Sequence, residues 1–389
     1  MADISGTGFA DSSSSSSFES EAPSSQSSVC NDELQNHLSL LNNSIEVDKI
    51  ADIRASPIFT EPVRKYAVKS TLHTRNKPFT QYGLLAGALD EDGTLQGVED
   101  PRVLYNITAP SSVFICGSQG SGKSHTLSCL LENCLIPSAA NVLPRPLTGV
   151  VFHYDTFISD TGGTPCEAAY LASHQDLEVR VLCAPTNRRQ IERIYAPLKN
   201  VTVEELRIDE TDLNTTRMFD LMAINASSTD AAPLYVNIVQ RILRELRLEQ
   251  QAVGGRFNYR AFRRAVDETS LLPGQLAPLY QRLDTLQSFM IPSQTLWTGK
   301  KAKNSHQYSS QSIWTPKAGR LTIVDLSCPC ITAAMACSLF TICLSLFIEQ
   351  KSNIGRVVAL DEAHKYMTDS VESQQLTESL LSTIRLQRH

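Results

Sequence analysis

The run Val113-Phe114-Ile115-Cys116-Gly117-Ser118-Gln119-Gly120-Ser121-Gly122-Lys123-Ser124-His125 decides how the chain is read. Its four leading apolar residues predict a buried strand. A glycine-rich turn follows, and behind it Leu127, Leu130, Leu131 and Cys134 recur at helical spacing. Strand, turn and helix in that order are the setting in which G-x-x-x-x-G-K-[ST] forms a phosphate-binding loop, and residues 117–124 match that pattern. The spelling has a physical basis. Glycines let backbone N–H groups surround phosphate oxygens without Cβ clashes, and the helix N-terminus adds partial positive charge. Gly117, Ser118, Gln119, Gly120, Ser121, Gly122, Lys123, Ser124 and His125 are therefore the candidate nucleotide-binding residues. Lys123 is expected to reach the β- and γ-phosphates, and the Ser124 hydroxyl to sit on Mg²⁺.

Working outward, further short apolar runs predict strands at 149–154, ending at Asp155, at 179–183, at 321–324, closing on Asp325-Leu326-Ser327, and at 357–360. Between about 211 and 290 the strand pattern gives way to helical spacing. Tyr235, Ile238, Val239, Ile242 and Leu246 form one face, and Leu276, Leu279, Leu283, Leu286 and Met290 another. The expected architecture is an α/β core of the P-loop NTPase, RecA-like kind, interrupted by an all-helical insertion. Its parts are a disordered Ser-rich tail at 1–30, a lead-in segment at 31–104 with some β-structure, core at 105–210, insertion at 211–300 and core again at 315–389.

The strand at 357–360 runs into Asp361-Glu362, the form of a Walker B strand. Asp361 is expected to hold the Mg²⁺ shell and Glu362 to orient or deprotonate the attacking water. A buried strand followed by a solvated acidic turn is the alternative. Asp361-Glu362-Ala363-His364 also spells the box of one group of superfamily 2 helicases. Against that reading, 238 residues separate Lys123 from Asp361, a helical insertion fills the gap, and no Ser-Ala-Thr motif follows.

Composition sets outer bounds. The 389 residues carry 35 Lys and Arg against 41 Asp and Glu, a net charge of −6, with 42% hydrophobic residues. These values suit a globular chain of about two domains and exclude a fibrous repeat or a small disulfide scaffold. They argue against coating nucleic acid by bulk charge but leave room for a local basic channel. Arg256, Tyr259, Arg260, Phe262, Arg263 and Arg264 alternate bases with aromatics, and Lys300, Lys301 and Lys303 cluster in a polar stretch. Either group fits a phosphate-contacting channel or the solvent face of an amphipathic helix. The ten cysteines are scattered without a Cys-x-x-Cys pair, as buried thiols of a reducing compartment are. The N-terminus reads as no secretory signal. An intracellular location, nucleus or cytoplasm, is expected. The stretch 326–348 lacks charge and is long enough to span a bilayer, but its Ser, Thr and Pro content and its place between two strands favour a buried crossover helix.

Taken in order, these motifs resemble the HerA/FtsK group of P-loop ATPases, and within it uncharacterised fungal P-loop proteins. The matching pieces are the 117–124 loop, the strand ending at Asp155, the Asp325-Leu326-Ser327 strand, and the run from Leu360 to Tyr366. The resemblance implies ATP and Mg²⁺ as cofactors, a homo-oligomer such as a hexamer, and hydrolysis coupled to moving DNA. It also implies that Arg388, in the run 383–389, acts as an arginine finger across a subunit interface, with Arg385 a lesser candidate. In the group a further strand with a polar sensor follows this segment. The chain stops at His389 without it, so the core is expected to be truncated, as a fragment or a shortened gene product, or to be completed by another chain. An ATP-binding interaction protein with little turnover is the alternative from another class.

Overall fold

The computed structural model describes residues 37–38, 49–71, 77–90, 92–93, 100–157, 162–222, 234–270, 272–294 and 312–387. The chain divides into two units, Met1–Asp52 and Ile53–His389. In the first, residues 37–38 and 49–52 are helical. The Ser-rich stretch 1–30, Lys300, Lys301, Lys303 and Arg388 lie outside the described residues.

The second unit is mixed α/β and contains two sheets. Strands β1 (Ile58–Thr60), β2 (Tyr82–Gly87), β3 (Arg102–Asn106) and β4 (Asn141–Val142) form an antiparallel sheet in the order β1-β3-β2-β4. Helix α1 (Glu61–Ser70) contributes Ala67 to a small core with Phe59, Phe79 and Leu104. The larger sheet is parallel throughout. It comprises β5 (Thr148–His153), β6 (Glu178–Cys183), β7 (Val201–Glu205), β8 (Arg320–Asp325) and β9 (Arg356–Leu360), in the order β7-β6-β8-β5-β9.

Because side chains alternate along a strand, the parallel sheet has two faces, and both are covered. Val151, Val179, Val181, Leu321, Ile323 and Ala359 point to one face, where they meet Leu131, Cys134 and Leu135 of helix α2 (Lys123–Leu135) and Ile191 and Tyr195 of α3 (Arg188–Tyr195). Val150, Phe152, Leu182 and Val324 point to the other. There they meet the helices of the insertion: α4 (Thr215–Leu221), α5 (Leu234–Val253), α6 (Tyr259–Asp267) and α7 (Pro273–Phe289). That face also takes α8 (Ala333–Glu349), the connection from β8 to β9. Chemistry placed at the strand ends is therefore sorted by parity onto one face or the other.

The uncharged stretch 326–348 lies largely in α8, whose residues from Ala336 to Leu344 are all buried. Among the described residues no helix is long and apolar enough to cross a membrane. Phe340 sits at the centre of this contact, its ring 4.9 Å from Phe152 of β5 and 5.1 Å from Tyr366. After β9 the chain enters α9 (Val371–Leu386), tied to the insertion by Arg282 and Glu372 at 2.6 Å.

One expected element is corrected. Residues 113–116 do not form a strand. They carry no regular secondary structure and join neither ladder. The reason lies in the strand order. Both sides of β5, β6 and β8 are already taken, and the outer edges of β7 and β9 are not reached. Instead, Tyr105 and Gln387 hold the start of the segment through Ser111 (3.1 Å) and Ser112 (3.2 Å), and Val113 and Phe114 stay exposed.

Replacing Phe340 by Ala removes the ring between β5 and Tyr366 and is expected to lower unfolding free energy by about 3–5 kcal/mol. Leu248→Ala, on the exposed side of α5, should stay within about 0.5 kcal/mol of the unsubstituted chain. Urea denaturation followed by circular dichroism separates the two. Equal midpoints would contradict the buried crossover.

Candidate functional site

The 117–124 loop ends where α2 begins, and Gly122 forms the junction. Its φ of 84° lies in the left-handed region, which an L side chain enters only with strain. Gly117 is demanded by space, since a Cβ there would stand 2.4 Å from Ser121 Oγ. The Ser118 carbonyl accepts two bonds inside the loop, from Ser121 N–H at 3.2 Å and from Lys123 Nζ at 2.9 Å. Lys123 thus folds back across the turn. No side chain caps the N-terminus of α2, so the first amides of the helix, at Lys123, Ser124 and His125, point outward beside a lysine. His125 also lies 3.7 Å from Cys129 one turn along.

The acidic motif lies at the C-terminal end of the parallel sheet. Asp361 continues the ladder beyond β9 by donating its N–H to the Phe152 carbonyl at 2.9 Å, and it shares the parity of Val357 and Ala359. Its carboxylate therefore falls on the α2 face of the sheet. Asp361 is 6% exposed. One oxygen, Oδ2, receives both His153 Nδ1 at 3.0 Å and Cys166 Sγ at 3.3 Å. His153 is the last residue of β5 and Cys166 precedes the 3-10 turn Glu167–Ser173.

A second network stands beside the first. Tyr195 donates its hydroxyl to Asp325 Oδ2 at 2.8 Å and accepts the Cys166 N–H at 2.9 Å. Asp325 Oδ1 accepts the Ser327 N–H, and Ser327 Oγ accepts the Asp155 N–H at 2.8 Å. The Asp325-Leu326-Ser327 motif thus links β8 to the end of β5. Lys365 completes the link at 3.2 Å from Asp155 and 3.8 Å from Glu362.

Glu362 is one of two described non-glycine residues with positive φ, at 51°. That strain turns its side chain away from the line of β9, where Lys365 and His364, the latter at 3.5 Å, are its ion-pair partners.

The electrostatics follow from burial and partners. Burial pushes the Asp361 carboxyl up, but the hydrogen bond and charge of His153, helped by Cys166 and Lys365, bring it below its ordinary value. Burial alone would strip the proton from His153. The charges and hydrogen bonds of Cys166 and Asp361 reverse that and hold it well above its ordinary value. Burial raises the Cys166 thiol to about 11, despite the opposing charge of His153.

The structure therefore brings some of the expected residues together and not others. Asp361 lies on the α2 face with Glu362 next to it in sequence, but among the described residues no hydrogen bond or ion pair joins either to Lys123, Ser124 or the rest of the loop. The basic and aromatic run of α6 does not make a stacking surface. Tyr259 and Phe262 are fully buried, and Arg263 is engaged by Asp267, Asp284 and the Tyr280 ring. Arg385 is exposed on α9. Sequence reasoning missed His153, Cys166, Tyr195 and Lys365. The available signal was parity, since His153, Cys183 and Asp325 pair across β5, β8 and β6, and Asp361 follows the same phase.

No protein-family model matches the chain, and no curated protein matches it in sequence.

Removing the His153 imidazole leaves a buried carboxylate without its main donor, so His153→Ala should destabilise by about 3–5 kcal/mol near neutrality. The pH dependence has two limbs. Asp361, lowered from 3.8, contributes stability present above that pH and lost as pH falls through its lowered value. His153, raised from 6.5, contributes stability fully present below that pH and lost as pH rises through its raised value. The difference between unsubstituted chain and variant should be whole between pH 3.8 and 6.5 and shrink on either side, read from urea midpoints across pH.

Proposed function

We propose that the chain is a magnesium-dependent, ATP-binding P-loop protein of RecA-like core that hydrolyses ATP. The observation that carries this reading is the 117–124 turn. Its glycines occupy conformations or spaces closed to side chains, and it delivers a lysine and uncapped amides at the start of α2. This combination suits a polyanion. ATP is preferred over GTP by the resemblance to the HerA/FtsK group alone, no Asn-Lys-x-Asp base-reading run being present.

The residues present fit a magnesium nucleotide in type. The backbone amides from Gly117 to His125 would hold phosphate oxygens, with Lys123 Nζ leaving the Ser118 carbonyl for them. Ser124 and Asp361 offer the oxygen ligands that magnesium prefers. When bound, the ion would neutralise charge gathering on the phosphates. Glu362 would accept a proton from the attacking water, with Lys365 and the strained backbone fixing its carboxylate. Arg388 would supply positive charge from a neighbouring copy.

Coupling of turnover to DNA, and assembly as a homo-oligomer, rest on the resemblance to the HerA/FtsK group. A second reading, nucleotide binding with little turnover, is favoured by one observation. Asp361 Oδ2 is already held by His153 and Cys166.

Single-turnover and steady-state ATP hydrolysis, with and without duplex DNA, tests the choice. Lys123→Ala should abolish nucleotide binding, and Glu362→Gln should keep binding while turnover falls about 10²–10⁴-fold. Turnover that rises with DNA supports the motor. ATP binding lost with Lys123→Ala but no turnover in any condition selects the binder.

A further inference from the structure

Three side chains of different ligand chemistry meet on the α2 face of the parallel sheet: the His153 imidazole, the Cys166 thiol and the Asp361 carboxylate. One ligand atom from each lies within 4.8 Å of the other two. All three residues are buried, at 5%, 0% and 6% exposure. They arrive from separate stretches of chain, at the end of β5, ahead of the turn Glu167–Ser173, and beyond β9. Their convergence is therefore a product of the fold rather than of one loop.

We propose that His153, Cys166 and Asp361 form a buried site for a borderline-soft divalent cation of the Zn²⁺ class. The donor set makes the choice. Magnesium and calcium take oxygen ligands, whereas a site offering nitrogen, sulfur and oxygen together selects zinc and its transition-metal neighbours. The geometry is close to what that ion needs. Donors held about 2.0–2.3 Å from a tetrahedral ion lie roughly 3.3–3.8 Å from one another. Here His153 Nδ1 and Cys166 Sγ stand 3.0 and 3.3 Å from the same carboxylate oxygen. A few tenths of an ångström of expansion admit the ion.

The exchange balances. Cys166 Sγ gives its proton to solvent and binds as the thiolate, and His153 binds as the neutral ring. No electron moves. A further observation favours the metal-bound form. His153 Nε2 is buried with no hydrogen-bond partner, a position more costly for an imidazolium than for a neutral, metal-bound ring. Tyr195 supports Cys166 from behind, between its backbone N–H and Asp325. Such outer contacts orient metal ligands. The site stands without the nucleotide reading. Where that reading holds, a bound ion also withdraws Asp361 from magnesium, so zinc would slow turnover.

The test uses the full reduced chain without nucleotide, titrated with Co²⁺ and then Zn²⁺. The expected result is one equivalent of Co²⁺ giving a thiolate-to-cobalt absorption. Zn²⁺ should displace it. Cys166→Ser should remove the thiolate band. His153→Gln should weaken binding by at least the ~100-fold that loss of an outer contact can cause. A Cys116→Ser/Cys330→Ser double variant, which removes the two exposed thiols among the described residues, should bind as before. The proposal falls if the unsubstituted chain shows no such band. It falls equally if the band survives in Cys166→Ser or is lost from the double variant. Should the buried variants fail to fold, the double variant and the cobalt band of the unsubstituted chain decide the matter. ATP hydrolysis plays no part in these readings, so failure here is separable from failure of the nucleotide assay.

Discussion

The top of the parallel sheet is organised by the need to keep one carboxylate charged where water does not reach. A lone buried carboxylate carries a desolvation penalty of several kcal/mol, and it persists only where donors converge on it. Asp361 meets that demand through His153 and Cys166, and the demand propagates. His153 can reach it only if β5 lies directly beside β9. Cys166 can reach it only if its backbone is anchored, which Tyr195 does, and Tyr195 in turn bridges to Asp325. Asp325 orders Ser327, Ser327 holds the Asp155 amide, and Asp155 takes Lys365. One electrostatic requirement thus ties the ends of β5, β8 and β9 to α3 and to the turn after β9.

The same arrangement divides labour between the faces of the sheet. Odd-numbered positions of β5, β6, β8 and β9 look toward α2, so His153, Cys183 and Asp325 at the C-terminal strand ends, and Asp361 beyond β9, share that side. The opposite side is given over to apolar packing by the insertion and α8, with Phe152, Phe340 and Tyr366 as its aromatic centre. Chemistry and bulk stabilisation therefore meet only along the strands themselves.

How much of this was legible in the sequence varied with the range of the interaction. Strands β5, β6 and β8 stand out because each is a largely apolar run buried on both faces, β9 because its apolar run is unbroken, and α5 and α7 because their apolar stripes repeat every three to four residues. Strand β7 was not foreseen. Val201 and Val203 alternate with Thr202 and Glu204, the weaker pattern of an edge. The run 113–116 has the composition of a core strand yet is not one, since joining a ladder requires a free neighbour and composition carries no information about strand order. In α6, alternating arginines and aromatics hid a plain amphipathic helix whose aromatics face inward. The glycine-rich turn was readable because its constraint is local. The His153, Cys166 and Asp361 cluster was not, because register between strands more than a hundred residues apart decides it.

That last separation also bears on how the molecule is made. The sheet's central ladder joins Thr148 to Arg320 across 172 residues, and β6 waits for the same partner. Closing so long a loop before its contacts reward it is slow, and a sheet of high contact order folds late. During synthesis β5 and β6 must stand with open edges and apolar faces until β8 has emerged. The helical insertion, local in its own contacts, is free to fold first and cover one side of them. A nascent chain of this design is thus at its most exposed just before β8 is made, the stage at which chaperone binding or aggregation would compete with folding.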